Sequence, residues 1–260
     1  MADASFSGLV HKGNLSTCNK KLCSLALRSS ALQSSTGIGF GVIAGPVLLI
    51  VLNDGSAIQI SVLLNLLIAL SLAPSLRQKA DLRLLKNLLI GLAIASPLGL
   101  LIYLRMDIGL LKSFAAVVVL FTLFLLAFGQ RVSSILQSNA AGRFEQVSIG
   151  FIAGIMGGSL AMPGPVAAAW MSARGFGKDS IRATILVMFV VAYTIALLLQ
   201  FLLAGISTDT LILTAMLIPP TLAGIVLGQI LSSRISEVSF RWVLMIILAF
   251  TAFFLLIRFV

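Results

Sequence analysis

Two stretches of the chain, one in each half, bring glycine, proline and hydroxyl side chains close together. Glycine lets backbone N–H groups approach a ligand closely, and a helix that begins at such a break points unpaired N–H groups and its positive dipole end at that ligand. Hydroxyl groups add donors, so the spacing predicts an anion-binding site. The alternative is that these small residues only let helices pack closely. The candidate binding residues are Ser35, Thr36, Gly37, Gly39, Gly41 and Pro46 in the first stretch, and Gly157, Gly158, Ser159, Pro163, Gly164 and Pro165 in the second.

Three further polar residues are candidates for the same chemistry. Asn65 lies in the middle of an apolar stretch, where it either lines the site or bonds to a neighbouring helix. Lys178 and Arg182 stand at the start of a later apolar stretch. They either attract anions or anchor the chain at lipid headgroups.

The acidic residues and the single histidine argue against other kinds of chemistry. All 8 Asp and Glu residues lie in loops or at the ends of apolar stretches, whereas proton-coupled carriers usually hold a carboxylate or histidine inside the membrane. His11, the only histidine, precedes the apolar stretches. An intramembrane serine protease would therefore lack its base, and a metalloprotease its pair of histidines. We predict no catalytic residue, no metal site, no cofactor and no enzymatic activity.

The elements that must position these residues are long and apolar. Hydrophobic residues make up 59% of the 260-residue chain and charged residues 10%, whereas a soluble domain needs far more polar surface. A helix needs roughly 20 apolar residues to span a bilayer. Stretches near that length are 57–74, 87–104, 113–128, 181–204, 210–230 and 240–257, and two more, around 37–52 and 146–173, are interrupted by Gly and Pro. We predict an all-α polytopic membrane protein whose partner is the lipid bilayer.

The net charge of +10 fits the same interpretation. The basic residues stand in short loops between apolar stretches, which is the pattern of cytoplasmic loops in membrane proteins, so we predict no nucleic-acid partner. Cys18 and Cys23 precede the clear spans. Their spacing is not that of a zinc site, and two cysteines do not make a disulfide framework.

The two halves of the chain repeat one order of features. Gly-Pro-Val occurs at 45–47 and again at 164–166, and Pro97 corresponds to Pro220. Each half contains a Gly/Pro-broken segment, a long span, a Pro-containing span and a final span. We predict an N-terminal segment of unclear role at 1–29, a first transmembrane repeat at 30–130 and a second at 131–260.

Loop charge predicts that the two repeats are inverted. The loop after the first broken segment has no Lys or Arg, whereas its counterpart at 174–182 has three; the loop 75–86 is basic, whereas its counterpart at 205–209 is not. Basic loops stay in the cytoplasm, so corresponding loops lie on opposite faces. Each broken segment must then be re-entrant, and loops 75–86 and 174–180 must share the cytoplasmic side.

The chain resembles the sulfite exporter TauE/SafE family of bacterial membrane permeases over roughly residues 30–260. The motifs that carry the resemblance are Gly37-Ile38-Gly39-Phe40-Gly41…Pro46, Gly150-Phe151-Ile152-Ala153-Gly154…Gly157-Gly158…Pro163, Arg182-Ala183-Thr184 and Pro220-Thr221-Leu222-Ala223-Gly224. This resemblance implies export of sulfite, sulfonates or related sulfur-containing organic anions across the inner membrane.

We therefore expect a multi-pass transporter of the bacterial inner membrane. It would export a small sulfur-containing anion, sulfite or an organosulfonate, through a site between two broken-helix repeats. The alternatives are a permease for another small anion or for a neutral sulfur compound, and a membrane assembly protein without transport. Small-residue helix faces also permit a homodimer.

Overall fold

The computed structural model describes residues 15–37, 39–136, 142–232 and 246. Within these ranges the regular structure is helical throughout. The helices are α1 (Leu15–Thr36), α2 (Phe40–Leu52), α3 (Ser56–Leu76), α4 (Leu82–Arg105), α5 (Ile108–Leu136), α6 (Arg143–Leu160), α7 (Gly164–Ala173), α8 (Lys178–Leu203) and α9 (Thr208–Ser232), with a 3₁₀ turn at Arg77–Lys79. The span expected at 240–257 lies outside the described residues except for residue 246.

Four segments of the described chain are long and apolar enough to cross a membrane. They are Ser56–Lys79, Leu82–Arg105, Asp179–Leu203 and Thr208–Ile230. A helix rises about 1.5 Å per residue, so each of them exceeds the roughly 30 Å of a bilayer's hydrocarbon core. The predicted all-α membrane fold is confirmed.

Polar residues in the loops set several helix boundaries. The Asp81 carboxylate accepts the Leu84 N–H at 3.0 Å and so caps α4, and the Asp107 carboxylate accepts the Leu110 N–H at 2.7 Å in the first turn of α5. Such caps satisfy N–H groups that have no acceptor within the helix. They also keep charged side chains at the ends of the apolar helices.

Basic loops lie together at one end of the helices, here called the basic end. Lys79 forms an ion pair with Asp179, with 2.7 Å between Nζ and Oδ2. The Asp81 N–H donates to the Thr184 hydroxyl at 3.1 Å. These contacts join the loop before α4 to the start of α8, so the two loops that were expected to share a side are adjacent.

A second ion pair at the basic end joins α6 to α7. Arg174, just after α7, contacts both carboxylate oxygens of Glu145, in the first turn of α6, at 2.5 Å. The Trp170 ring N–H donates to the same carboxylate at 2.7 Å. The hydrogen bond from Arg174, and after it the one from Trp170, holds the pKa of Glu145 below its usual value. α6 and α7 therefore form a hairpin that starts and ends at the basic end.

Three other loops meet at the opposite end. The Tyr103 hydroxyl donates to the Gly55 carbonyl at 3.1 Å, and the Gln59 side-chain amide donates to the Gly205 carbonyl at 2.8 Å. These bonds place the loops before α3, after α4 and after α8 side by side. A cavity of about 510 Å³ lies between them, with Asp54 in its lining.

α1 and α2 form another hairpin, which opens toward the opposite end. Gly224 of α9 packs against Leu27 of α1, and Gly228, one turn later, packs against Ala31. α1 and α9 are therefore parallel. Because α9 starts at the opposite end, α1 runs toward the basic end, and α2 then returns to the loop before α3.

Small residues bring the α6–α7 hairpin into close contact with a long helix of the first half. Gly150, Gly154 and Gly158 of α6 face Gly91 and Gly99 of α4. A Cβ atom added to Gly158 would lie 3.1 Å from the Cα of Gly99, so the two backbones touch. This is the usual way in which helices pack closely in a membrane, and α9 packs on α1 through its own glycines in the same manner.

Candidate functional site

The first break separates α1, which ends at Thr36, from α2, which begins at Phe40. Gly37 has a φ of 84°, which glycine adopts without strain, and its N–H donates to the Gln33 carbonyl at 2.7 Å. The side-chain Oε1 of Gln33 accepts the Phe40 N–H at 2.9 Å and so caps α2 from across the break. One buried side chain thus holds both sides of the break together.

The second break separates α6 from α7 at residues 161–163. Ala161 has a φ of 58°, which is uncommon for a residue with a Cβ atom and is found more often at functional sites. Its N–H donates to the Gly157 carbonyl at 3.1 Å. α7 then begins at Gly164 with Pro165 in its first turn, where the missing proline N–H costs nothing.

The two breaks meet beside Gly41. A Cβ atom added to Gly41 would lie 2.5 Å from the Ala161 carbonyl oxygen, 3.4 Å from the Tyr193 hydroxyl and 3.5 Å from Asn65 Nδ2. The Tyr193 hydroxyl donates to the same Ala161 carbonyl at 3.0 Å. All four residues are buried. The structure therefore brings Gly41, Asn65 and the second break together at one point.

Two buried amide side chains near this point each leave one polar atom without a partner. Asn65 Nδ2 donates to the Ser61 carbonyl at 2.8 Å, but Asn65 Oδ1 accepts no hydrogen bond from the residues that the structure describes. Gln33 Nε2 likewise donates to none of them. Both residues are 0% exposed. Buried polar groups are nearly always hydrogen-bonded, so these two atoms are candidates for contact with a ligand.

Arg182 lies against the first break. Its guanidinium donates to the Ser34 carbonyl, and a Cβ atom added to Gly37 would lie 2.9 Å from Arg182 Cγ. Arg182 Nε is buried and has no partner among the described residues. The arginine therefore places positive charge next to the end of α1, on the side of the basic end.

The electrostatic field at the breaks favours an anion. α2 and α7 both begin there, and first-turn N–H groups have no acceptor within their own helix and carry the positive end of the helix dipole. The carboxylates of the described chain lie at the two ends of the helices, at Asp54, Asp81, Asp107, Glu145, Asp179 and Asp209. The buried centre thus combines helix N-termini with one nearby arginine.

A model of the sulfite exporter TauE/SafE family matches residues 22–255. The chain belongs to this family. The match includes both breaks and all the helices from α2 to α9. The protein is therefore a membrane transporter of the sulfite exporter type. The expectation that it is not an enzyme agrees with its family. Comparisons with curated proteins and with solved structures gave no match.

Not every candidate residue of this TauE/SafE protein faces the point where the breaks meet. Gly158 faces α4, since a Cβ atom there would lie 2.6 Å from the Ser96 carbonyl oxygen. The hydroxyls of Ser35 and Ser159 donate within their own helices, to the carbonyls of Leu32 at 2.9 Å and Ile155 at 2.7 Å. Pro46 is buried within α2, Gly157 packs against Pro163, and the side chains of Thr36 and Lys178 are outside the described residues.

Two buried residues that bond to the helix breaks were not among the predicted candidates. Gln33 and Tyr193 are both buried and both bond to a break. A tyrosine in the middle of an apolar span needs a partner for its hydroxyl, and a glutamine four residues before a glycine break can cap the helix that begins after the break. These were the available signals.

Proposed function

We propose that this TauE/SafE transporter exports sulfite or an organosulfonate through a site at the point where its two helix breaks meet. The observation that carries the proposal is the contact between Gly41, in the first turn of α2, and the Ala161 carbonyl of the other break. Matching broken helices in two halves are the usual binding site of repeat-built transporters. Helix N-termini, rather than carboxylates, suit an anionic substrate.

In this proposal the substrate oxygens bind the first-turn N–H groups of α2 and α7. Gly37, Gly39 and Gly41 let Arg182, the Gln33 backbone and the Ala161 carbonyl lie directly against the first break. At the second break, α7 begins at Gly164. Arg182 draws the anion from the basic end toward the first break. Gly158 serves helix packing, which its contacts with α4 favour, and the Ser159 hydroxyl bonds within its own helix.

The proposed architecture is a pair of inverted repeats, at 30–130 and 131–260, each with one re-entrant hairpin. Three observations support it. The α1–α2 and α6–α7 hairpins open toward opposite ends; α4 packs on α6 as α9 packs on α1; and α3, the first long helix of one half, packs on α8, its counterpart. Rocking of one hairpin against the other would expose the meeting point to each end in turn.

We predict that cysteine labelling will place the basic end in the bacterial cytoplasm. Gln78→Cys and Gly177→Cys, each in a background with Cys18 and Cys23 replaced by serine, should react with an impermeant maleimide only after the inner membrane is opened. Ser207→Cys should react in intact spheroplasts, because it lies at the opposite end. If Gln78→Cys and Gly177→Cys are labelled from different sides, the inverted re-entrant model is wrong.

The function itself is tested by flux into proteoliposomes of the purified protein. We expect uptake of radiolabelled sulfite and of a small sulfonate above that of empty liposomes, and uptake of chloride at the level of empty liposomes. Selective chloride flux would favour a permease for another anion. Absence of any anion flux from folded protein would overturn the proposal and favour a neutral sulfur compound or an assembly role.

A further inference from the structure

The proposed site contains an acceptor as well as donors. Asn65 is fully buried in α3, and its Nδ2 lies 3.5 Å from the position of a Cβ atom on Gly41. The bond from Nδ2 to the Ser61 carbonyl fixes which side of the amide is the donor, since a carbonyl can only accept. The remaining atom, Oδ1, is therefore an acceptor, and no residue of the described chain donates to it.

Gln33 provides a hydrogen-bond donor at the first turn of α2, the turn that contains Gly41. Its Oε1 is occupied by the Phe40 N–H at 2.9 Å, so the amide orientation is fixed here too and Nε2 is a donor. No residue of the described chain accepts from Nε2. Gln33 thus contacts Phe40, and Asn65 lies beside the next residue, Gly41. The side chain that carries the donor Gln33 Nε2 and the side chain that carries the acceptor Asn65 Oδ1 therefore lie beside two successive residues at the start of α2. Neither atom has a partner among the described residues.

We infer that this turn recognises an oxyanion that carries one hydroxyl proton. Charged oxygens of the substrate bind Gln33 Nε2 and the α2 N–H groups, and the substrate's own O–H donates to Asn65 Oδ1. Hydrogensulfite and hydroxylated sulfonates have both features, whereas sulfate and unsubstituted alkanesulfonates offer no donor. This inference rests on the proposed function and narrows its substrate class. When hydrogensulfite is the substrate, it carries its own proton, and the transporter then needs no carboxylate to bind that proton.

Two sulfonates of similar size test the inference on the unaltered protein. 2-Hydroxyethanesulfonate and 1-propanesulfonate differ by exchange of a hydroxyl for a methyl group. A substrate without a hydroxyl leaves Asn65 Oδ1 unpaired in a buried site, so initial uptake at low concentration should favour the hydroxylated compound by about tenfold. Equal uptake of the two compounds would overturn the inference while leaving the proposed function standing. No uptake of either compound or of sulfite would instead contradict the proposed function.

The residue assignment is tested with Asn65→Leu and a control. In Asn65→Leu the ratio of the two uptake rates should fall to about one, because the acceptor that favours the hydroxylated compound is gone. Asn87→Leu, which removes a half-buried asparagine of α4 that bonds to Gln146 instead, should keep the unaltered protein's ratio. An unchanged ratio in Asn65→Leu would show that Asn65 is not the acceptor. If Asn65→Leu does not fold, the substrate pair on the unaltered protein still decides the inference.

Discussion

Gly41→Ala is expected to reduce transport per folded molecule by about 100-fold, in addition to any loss of folded protein. The added Cβ atom would lie 2.5 Å from the Ala161 carbonyl oxygen, so the two breaks must separate by about 1 Å to restore a normal contact distance. A displacement of about 1 Å can cost an enzyme reaction about 100-fold in rate, and we expect a transport site to be as sensitive. It would also pull the Ala161 carbonyl away from the Tyr193 hydroxyl that fixes it. Initial rates of sulfite uptake in proteoliposomes measure the effect.

Gly45→Ala is the matched control for this substitution. It makes the same change one turn later in the same helix, and its Cβ atom would lie 3.3 Å from the Met162 Cε and 3.7 Å from the Leu160 carbonyl oxygen. A flexible methionine can move, so we expect transport within about threefold of the unaltered protein. Equal uptake by Gly41→Ala and Gly45→Ala, with equal thermal stability in detergent, would show that the substrate does not pass the point where the two breaks meet.

The sequence predicted the helix breaks because their determinants are local. Gly37 and Gly39 interrupt one apolar stretch, Pro163 and Gly164 interrupt another, and no tertiary information is needed to recognise that a regular helix must end there. The same holds for the grouping of basic loops, since charge is excluded from apolar spans. The breaks and the basic loops indicated where in the chain a binding site could lie. They did not indicate which other side chains would contribute to it.

The contributions of Gln33 and Tyr193 depend on helix rotation and therefore escaped prediction. Each is polar and each lies in a helix whose buried face becomes known only when its neighbours are placed. Gln33 reaches Phe40, seven residues later, across a break whose geometry is set by Gly37. Tyr193 reaches Ala161, 32 residues earlier, from a separate helix. Sequence spacing alone does not specify either contact.

Glycines of the two broken segments also differ in role. Gly41 lies at the meeting of the two breaks, whereas Gly158 lies between α6 and α4. Gly150, Gly154 and Gly158 recur at intervals of four, which places them on one helix face and is typical of close helix packing. That periodicity favours a structural role for Gly158 over ligand binding, and the structure agrees with it.

Gly150→Ala is expected to destabilise the protein by about 3 kcal/mol or more. A Cβ atom at Gly150 would overlap the Leu88 carbonyl oxygen, and backbone atoms of α4 cannot rotate away as a side chain could. Overpacking a tight interface typically costs about 1–3 kcal/mol, and more when the backbone must shift. We expect a lower midpoint of thermal unfolding in detergent and less folded protein by size-exclusion chromatography.

A comparable change at the α1–α9 interface, Gly228→Ala, should have the same effect, because its Cβ atom would overlap the Ala31 carbonyl oxygen. Gly142→Ala is the control, since nothing lies within 4 Å of its added Cβ atom.

Gly158→Ala should resemble Gly150→Ala. We expect less folded protein, while the molecules that do fold still transport. If Gly158→Ala instead folds normally and fails to transport, Gly158 belongs to the substrate site and the packing interpretation of the α4–α6 contact is wrong. If Gly150→Ala and Gly228→Ala differ strongly in stability, the two interfaces do not contribute equally to the stability of the fold.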